Sequence, residues 1–180
     1  RCVRVEDIIK TSPELIDKVM PVSRCLYIRI ACASRDALCE RANPRKAPEP
    51  QNTNDRVVAI TVKTGSETVT NTILPAANSE KLRNLDSCHT KHHVLEEDMI
   101  KCVVRSIISY DPDVILYYPD RYDDLEYIST RYRILTGGIS FFKTVGRCSY
   151  NGKANPDRSS TITGRNVIDI RSVLKRSPCN

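Results

Sequence analysis

Residues Asp111–Arg131 read DPDVILYYPDRYDDLEYISTR, and this stretch decides the fold. Val114 to Tyr118 is a short apolar and aromatic run bounded by turn-forming residues, the pattern of a buried strand. Asp124 to Leu135 follows as a helix, with Asp123 or Asp124 near its first turn, where a carboxylate complements the helix dipole. A buried strand passing straight into a helix is an α/β signature.

The rest of the chain extends that reading. Cys25–Cys32, Val57–Lys63 and Glu67–Leu74 alternate or are rich in β-branched residues, which predicts three strands. Val94–Tyr110 carries Leu95, Met99, Cys102, Val103, Ser106 and Ile107 at helical spacing, which predicts a helix. Ile162–Ile170 reads as a last strand after a polar loop, Ser149–Thr161, that holds Asn151, Gly152, Asn155 and Pro156. Ahead of the quoted stretch the order is strand, strand, strand, helix; the stretch itself adds strand and helix.

The quoted residues resemble the second motif of the proofreading exonuclease in family B DNA polymerases, D-P-D-apolar-apolar-x-G-Y-N-x-x-x-F-D-x-x-Y-apolar-x-x-R, and match it without a gap. Asp111, Pro112 and Asp113 fit the opening, Tyr118 the motif tyrosine, Asp124 the metal-binding aspartate, and Tyr127, Ile128 and Arg131 the helix. Tyr117 stands for the glycine, Pro119 for the asparagine and Asp123 for the phenylalanine. Upstream, LYIRIAC (residues 26–32) fits the frame of the first motif, apolar-x-apolar-D-I-E-C, but Arg29 occupies the aspartate position and Ala31 the glutamate position. APEPQNTNDRVVAI resembles the proline-bearing loop and second strand through Pro48, Glu49, Pro50, Asp55, Val57, Val58 and Ile60. EEDMIKCVVRSIISY resembles the helix that leads into D-P-D. VGR (Val145 to Arg147) and ITGRNVIDIRSVLKR (Ile162 to Arg176) resemble the family's later G-R segments, found in delta-like and herpesviral polymerases.

This resemblance covers about residues 22 to 176. It implies an α/β, ribonuclease H-like fold of the proofreading-exonuclease type, a mixed sheet flanked by helices. The implied division is a lead-in segment at 1–21, an exonuclease-like domain at 22–176 that is incomplete at its C-terminal end, and a tail at 177–180. The family's third motif, Y-x-x-x-D, falls beyond the last residue. A chain that opens on Arg1 is expected to be a fragment, a processed product or part of something longer.

The substitutions bear on the chemistry that the resemblance implies. A two-metal exonuclease holds two divalent cations about 3.5 to 4 Å apart to activate water and stabilise the leaving oxygen, and hard cations such as Mg²⁺ need carboxylate oxygens. Arg29 places a permanent cation where a metal would sit, and Ala31 removes a second ligand. Asp124, even with Asp120 and Asp123 near it in sequence, does not rebuild the site. The expectation is a catalytically inactive 3′–5′ exonuclease-like domain of a family B polymerase, with no functional catalytic residues, no metal and no cofactor. Its implied place is DNA replication or repair synthesis, with the polymerisation chemistry carried by palm motifs outside this chain. The rivals are an active proofreading exonuclease, which would need Mg²⁺, and a free-standing interaction protein derived from a polymerase.

Composition is consistent with a single domain. The 180 residues carry 40% hydrophobic side chains, and no apolar run approaches the roughly 20 residues needed to span a bilayer, so no membrane partner is expected. The eight cysteines, Cys2, Cys25, Cys32, Cys39, Cys88, Cys102, Cys148 and Cys179, are scattered singly, unlike a disulfide framework. Cys32 and Cys102 fall at apolar positions, where free cysteine acts as a small hydrophobe. A nuclear or otherwise intracellular protein is expected. The cluster Cys88, His89, His92 and His93 suits zinc by residue type, yet it lacks a second spaced pair.

The net charge of +6, from 28 Lys and Arg against 22 Asp and Glu, favours a polyanionic partner. Its densest runs are Arg41–Lys46 and Arg171–Arg176. The loop Ala33–Asn54 reads either as a solvated surface loop or, through Arg35, Arg41, Arg45 and Lys46, as a basic arm. Tyrosines suited to base stacking cluster at Tyr117, Tyr118, Tyr122 and Tyr127. The nucleic-acid-binding candidates are Tyr118, Arg121, Arg45 and Lys46, and the expected partners are DNA and other polymerase domains or subunits.

Overall fold

The computed structural model describes residues 23–33, 47–73, 88–119, 122–147 and 162–176. Its centre is a strand, β1 (Cys25–Ala33), whose side chains alternate strictly: Leu26, Ile28 and Ile30 are buried, while Tyr27, Arg29 and Ala31 are exposed. Beside it run β2 (Arg56–Lys63) and β3 (Thr68–Thr72), each antiparallel to its neighbour. On its other side lie β5 (Val114–Tyr117) and β6 (Asn166–Asp169), both parallel to β1. A further strand, β4 (Cys88–His92), pairs parallel with β3. The mixed six-stranded sheet has the order β4-β3-β2-β1-β5-β6.

Helix α1 (Glu96–Tyr110) buries Met99, Ile100, Val103, Val104 and Ile107, a single stripe at helical spacing. It packs on β2 and β3, and α2 (Asp124–Leu135) packs on β1, β2 and α1. A short α3 (Phe141–Thr144) buries Phe141 against Tyr132 of α2, edge to face, and α4 (Ile170–Arg176) leaves the end of β6. The core is one cluster between the sheet and α1, α2 and α3, with Leu26, Ile28, Ile30, Ile60, Val62, Ile115 and Ile128 at its middle. The segments read as strands over 25–32 and 57–63 pair antiparallel, and the segment read as a helix over 94–110 forms Glu96–Tyr110 on one face of the sheet.

Three elements depart from expectation. Strand β4 was read only as a cluster of metal-type residues; its sequence CHTKH has weak strand propensity, and at the edge of the sheet it pairs without needing an apolar face. The segment expected as a strand over Ile162–Ile170 is shorter. Residues 163–165 turn, with Gly164 at φ 80° and no room for a side chain, since a Cβ there would lie 2.9 Å from the Arg147 Cβ. At the far end Ile170 already belongs to α4, which Asp169 caps by accepting from the Ser172 N–H at 3.1 Å. The basic run 171–176 is therefore a helix. The loop Ser149–Thr161 and most of the basic loop before Ala47 lie outside the described residues.

One buried ion pair ties both helices to β2. Arg131 of α2 donates to Glu96 of α1 through Nε at 2.9 Å and Nη2 at 2.6 Å, and through Nη1 to the carbonyls of Pro50 and Asn52. Glu96 also accepts the Val57 N–H at 2.9 Å. Both side chains are almost fully buried. Removing one partner of such a pair leaves an uncompensated charge, a loss of about 3–5 kcal/mol. Arg131→Met is therefore expected to lower the unfolding free energy by that order in a urea titration, and an unchanged midpoint would show that the pair does not hold the helices.

Candidate functional site

The parallel strands β1 and β5 end side by side, and the chain leaves β5 through Tyr118 and Pro119 before entering α2 at Asp124. Asp124 is fully buried. Its carboxylate lies 3.4 Å from the Arg29 Nη1 and accepts the Ile30 N–H at 3.4 Å. The same Arg29 Nη1 donates to the Tyr118 carbonyl. Because β5 stops at the level of Ile28, the next backbone groups of β1 have no strand on the β5 side. Side chains take that place: Asp124 meets the Ile30 N–H, and the Tyr122 hydroxyl donates to the Ile30 carbonyl at 3.4 Å and accepts the Cys32 N–H at 3.2 Å. Ala31, between them, offers no ligand atom.

Arg29, Ala31 and Asp124 are thus brought together, as the sequence motifs required, but as an organic ion pair. The carboxylate sits at the first turn of α2, where the helix dipole adds to its stabilisation. Two further departures from the motif touch each other. The Tyr117 hydroxyl donates to Asp123 Oδ2 at 3.0 Å, while Asp123 Oδ1 accepts the Leu125 and Glu126 N–H groups at 3.0 and 2.9 Å and so caps α2. Where the motif has a glycine and a phenylalanine, this chain has Tyr117 and Asp123: the ring sits on the other partner and a helix cap appears. Burial, with the Asp123 carboxylate beside it, raises the Tyr117 pKa well above the usual phenol range.

At the opposite end of β5, Asp111 and Asp113 gather three arginines. Asp111 accepts from Arg24, Arg147 and Arg165 at 3.2, 2.7 and 2.9 Å, and Asp113 from the Arg24 N–H and from Arg147 at 2.9 and 2.8 Å. Asp111 itself ends α1 in the left-handed conformation, φ 49°. These contacts explain the D-P-D and G-R segments as one clamp joining β1, β5, β6 and the end of α1, a role that sequence spacing could not reveal.

Of the expected nucleic-acid contacts, Tyr118 is exposed and adjoins the Arg29 guanidinium. Arg121, Arg45 and Lys46 lie outside the described residues. The other tyrosines of the cluster do not offer their faces. Tyr127 is buried and donates to the Asp55 carbonyl, Tyr122 packs against it with ring centroids 5.2 Å apart, and Tyr117 is half-buried against the core. Tyr117 ends β5, Tyr122 precedes α2 and Tyr127 lies within it, and packing against the core covers them. In β4, alternation sends His89 and His92 to opposite faces of the sheet, and His93 pairs with Asn71 at 3.1 Å. Burial raises the Cys32 thiol to about 11, and among the described residues Cys25, Cys32 and Cys102 are free thiols.

The family model for the DNA polymerase family B exonuclease domain matches residues 3–178. This chain belongs to that family. The family B DNA polymerase from the hyperthermophilic archaeon Pyrobaculum calidifontis shares the fold, with a TM-score of 0.55 and 21% identity over 88% of this chain. The match spans only 17% of that polymerase. A search of curated proteins finds no match. No helix among the described residues of this exonuclease-family domain is long and apolar enough to cross a membrane.

The geometry of the exonuclease-family site predicts energetic coupling. Arg29→Ala and Asp124→Ala each strip a partner from the pair, so their stability losses are expected to be non-additive, by about 0.5–3 kcal/mol. A double-mutant cycle by chemical denaturation measures this; strict additivity would mean that Arg29 does not compensate Asp124. The arginine clamp predicts acid sensitivity. Its partners hold Asp111 below the usual carboxylate range through Arg147 and Arg165, and Asp113 through the Arg24 N–H and Arg147. Their contribution is present in full above the unfolded value of 3.8 and is lost as pH falls through the lower folded values. Melting temperature is expected to drop below pH 3.8, and to drop less in Asp111→Asn.

Proposed function

We propose that this domain is a catalytically inactive 3′–5′ exonuclease-like module that serves the architecture and the nucleic-acid path of a family B DNA polymerase in nuclear replication or repair synthesis. One observation carries the reading: the retained aspartate, Asp124, faces the Arg29 guanidinium. A two-metal mechanism needs carboxylates that attract divalent cations. Here a fixed positive charge already neutralises the one that remains, and it repels Mg²⁺ from the same volume. Ala31 supplies no second ligand, and among the described residues no group of three or more His, Cys, Asp or Glu side chains is placed to hold a metal. On this reading the domain works without a metal cofactor. Its partners are DNA, met through Tyr118 and through Arg121, Arg45 and Lys46, and the other domains or subunits of the polymerase.

The test is a nuclease assay with calorimetry. The 180-residue chain is expected to leave a labelled single-stranded oligonucleotide intact in Mg²⁺ or Mn²⁺, and to show no saturable heat on titration with either ion. Arg29→Asp combined with Ala31→Glu is expected not to revive cleavage, because Pro119 and Asp123 have also changed the surroundings and the ligands of such a site act as a unit. Metal-dependent shortening by the unmodified chain, lost in Asp124→Ala, would overturn the reading.

A further inference from the structure

Helix α1 packs chiefly on β2, and beside it the outer strands β3 and β4 leave a cavity of about 740 Å³. That volume falls within the range of small-molecule sites, about 300–1,000 Å³. The middle of its floor is apolar: Val62 and Val69 face each other across β2 and β3, with Leu26 beyond them. Toward the sheet edge the floor continues as a second cross-strand pair, Asn71 and Lys91. The wall is a stripe of α1 at helical spacing, Asp98, Cys102, Arg105, Ser106 and Ser109. The cavity is therefore shaped by elements that pack on one another, and it lies away from the ends of β1 and β5 that hold Arg29 and Asp124.

The charges along this cavity are ordered. At one end His93 is fixed against the Asn71 amide oxygen at 3.1 Å. Burial lowers its pKa below the ordinary 6.5, with Asp98 opposing and Lys91, His92 and Arg105 adding to that effect. The ring is thus neutral at pH 7, and a carboxylate and two cations from the cavity lining gather round it. Arg105 leans toward this end because its Nε donates to the Lys101 carbonyl, one turn back, at 3.3 Å. Glu67 stands at the other end, four residues before Asn71 and so about 13 Å away at about 3.3 Å per residue. Ser109 and the carbonyl end of α1, whose last turn carries no basic residue, lie at that end too. Lys91, Asp98 and Glu67 are exposed and form no ion pair among the described residues.

We propose that this cavity binds a free α-amino acid with a long basic side chain, its carboxylate on Lys91 and Arg105, its ammonium on Asp98 and its side-chain cation on Glu67. Each of the four lining charges then meets its opposite. The order of the charges selects the class. Both signs stand close together at the His93 end, as an α-amino acid head requires, and a lone carboxylate stands at the far end. Between them Val62 and Val69 offer apolar surface to a methylene stem, the way such stems are ordinarily covered. A simple anion would be opposed by Asp98, and a polyamine would leave Lys91 and Arg105 unmatched. Arginine fits best, because its guanidinium can pair with the Glu67 carboxylate through two parallel hydrogen bonds.

Titration of the isotope-labelled 180-residue chain with L-arginine, followed by NMR amide shifts, tests the site. Saturable shifts are expected in β3, β4 and α1. Agmatine, which lacks the carboxylate, and L-norleucine, which lacks the cationic tip, are each expected to bind about tenfold more weakly, the loss of one charge-assisted contact. Glu67→Gln is expected to weaken L-arginine about tenfold and to leave L-norleucine unchanged, a contrast that general damage to the fold would not produce. Arg105→Gln is expected to weaken L-arginine and L-norleucine and to leave agmatine unchanged. No saturable shift at about 10 mM L-arginine, where even a millimolar site is nearly full, would overturn the proposal. Equal affinity for the three compounds, or a Glu67→Gln variant that weakens L-arginine and L-norleucine alike, would overturn it as well. The nuclease assay is independent of this outcome, since none of these residues belongs to the Arg29–Asp124 site.

Discussion

A carboxylate with no solvent exposure at the start of a helix has to be compensated, and Asp124 imposes that demand on everything around it. Burying an unpaired charge is among the most costly things a fold can do. In a metal-dependent nuclease the cations meet the demand. Here Arg29, the Ile30 N–H and the first turn of α2 meet it instead. The Arg29 guanidinium is about half exposed, so its own desolvation is only partial. Arg29 reaches both the carboxylate and the Tyr118 carbonyl through its Nη1. Asp124 thereby has a structural part: it completes β1 past the point where β5 ends.

Two other ionic groups frame this site and differ in kind. The Glu96–Arg131 pair is buried and bidentate, and it fixes α1, α2 and the loop before β2 relative to one another. The Asp111 and Asp113 cluster is partly exposed, so water and salt screen its pairs and each is worth little alone. Its effect comes from convergence. Arg24, Arg147 and Arg165 arrive from segments far apart in sequence, and five polar contacts close on two carboxylates at one end of β5. The strand is thus anchored at its start by carboxylates that collect arginines and at its end by an arginine that collects a carboxylate and a carbonyl. Between those ends only four residues separate the clamp from the degenerate site, which limits how far either can shift.

Much of the fold was legible because its elements are strongly patterned. β1, β2 and α1 carry apolar periods that no other structure would satisfy, and the D-P-D stretch gave both β5 and α2. β4 was not legible, since an edge strand with one polar sequence needs a partner before it has any strand character. The limits of β6 were misjudged because Gly164 requires a conformation that hydrophobicity does not report, and because Asp169 looks like a strand residue until its cap to Ser172 is seen. At the site, the identities at 29, 31 and 124 could be read from the motif frame, but the ion pair between two of them could not, since Arg29 and Asp124 are 95 positions apart. The tyrosine cluster misled for a simple reason: sequence proximity says that rings are near one another, and burial decides whether any face is left for a ligand.

The substitutions also act together. Tyr117 and Asp123, which stand where the motif has a glycine and a phenylalanine, contact each other. Together they keep a ring in the region and add a helix cap. Arg29 in place of an aspartate is likewise tolerable only because Asp124 remains to meet it. Of the five departures, Tyr117 and Asp123 contact each other and Arg29 contacts the retained Asp124, so the effects of changing either pair are expected to be coupled. The physical content of the site is that the Arg29–Asp124 and Tyr117–Asp123 contacts hold β1, β5 and the start of α2 together.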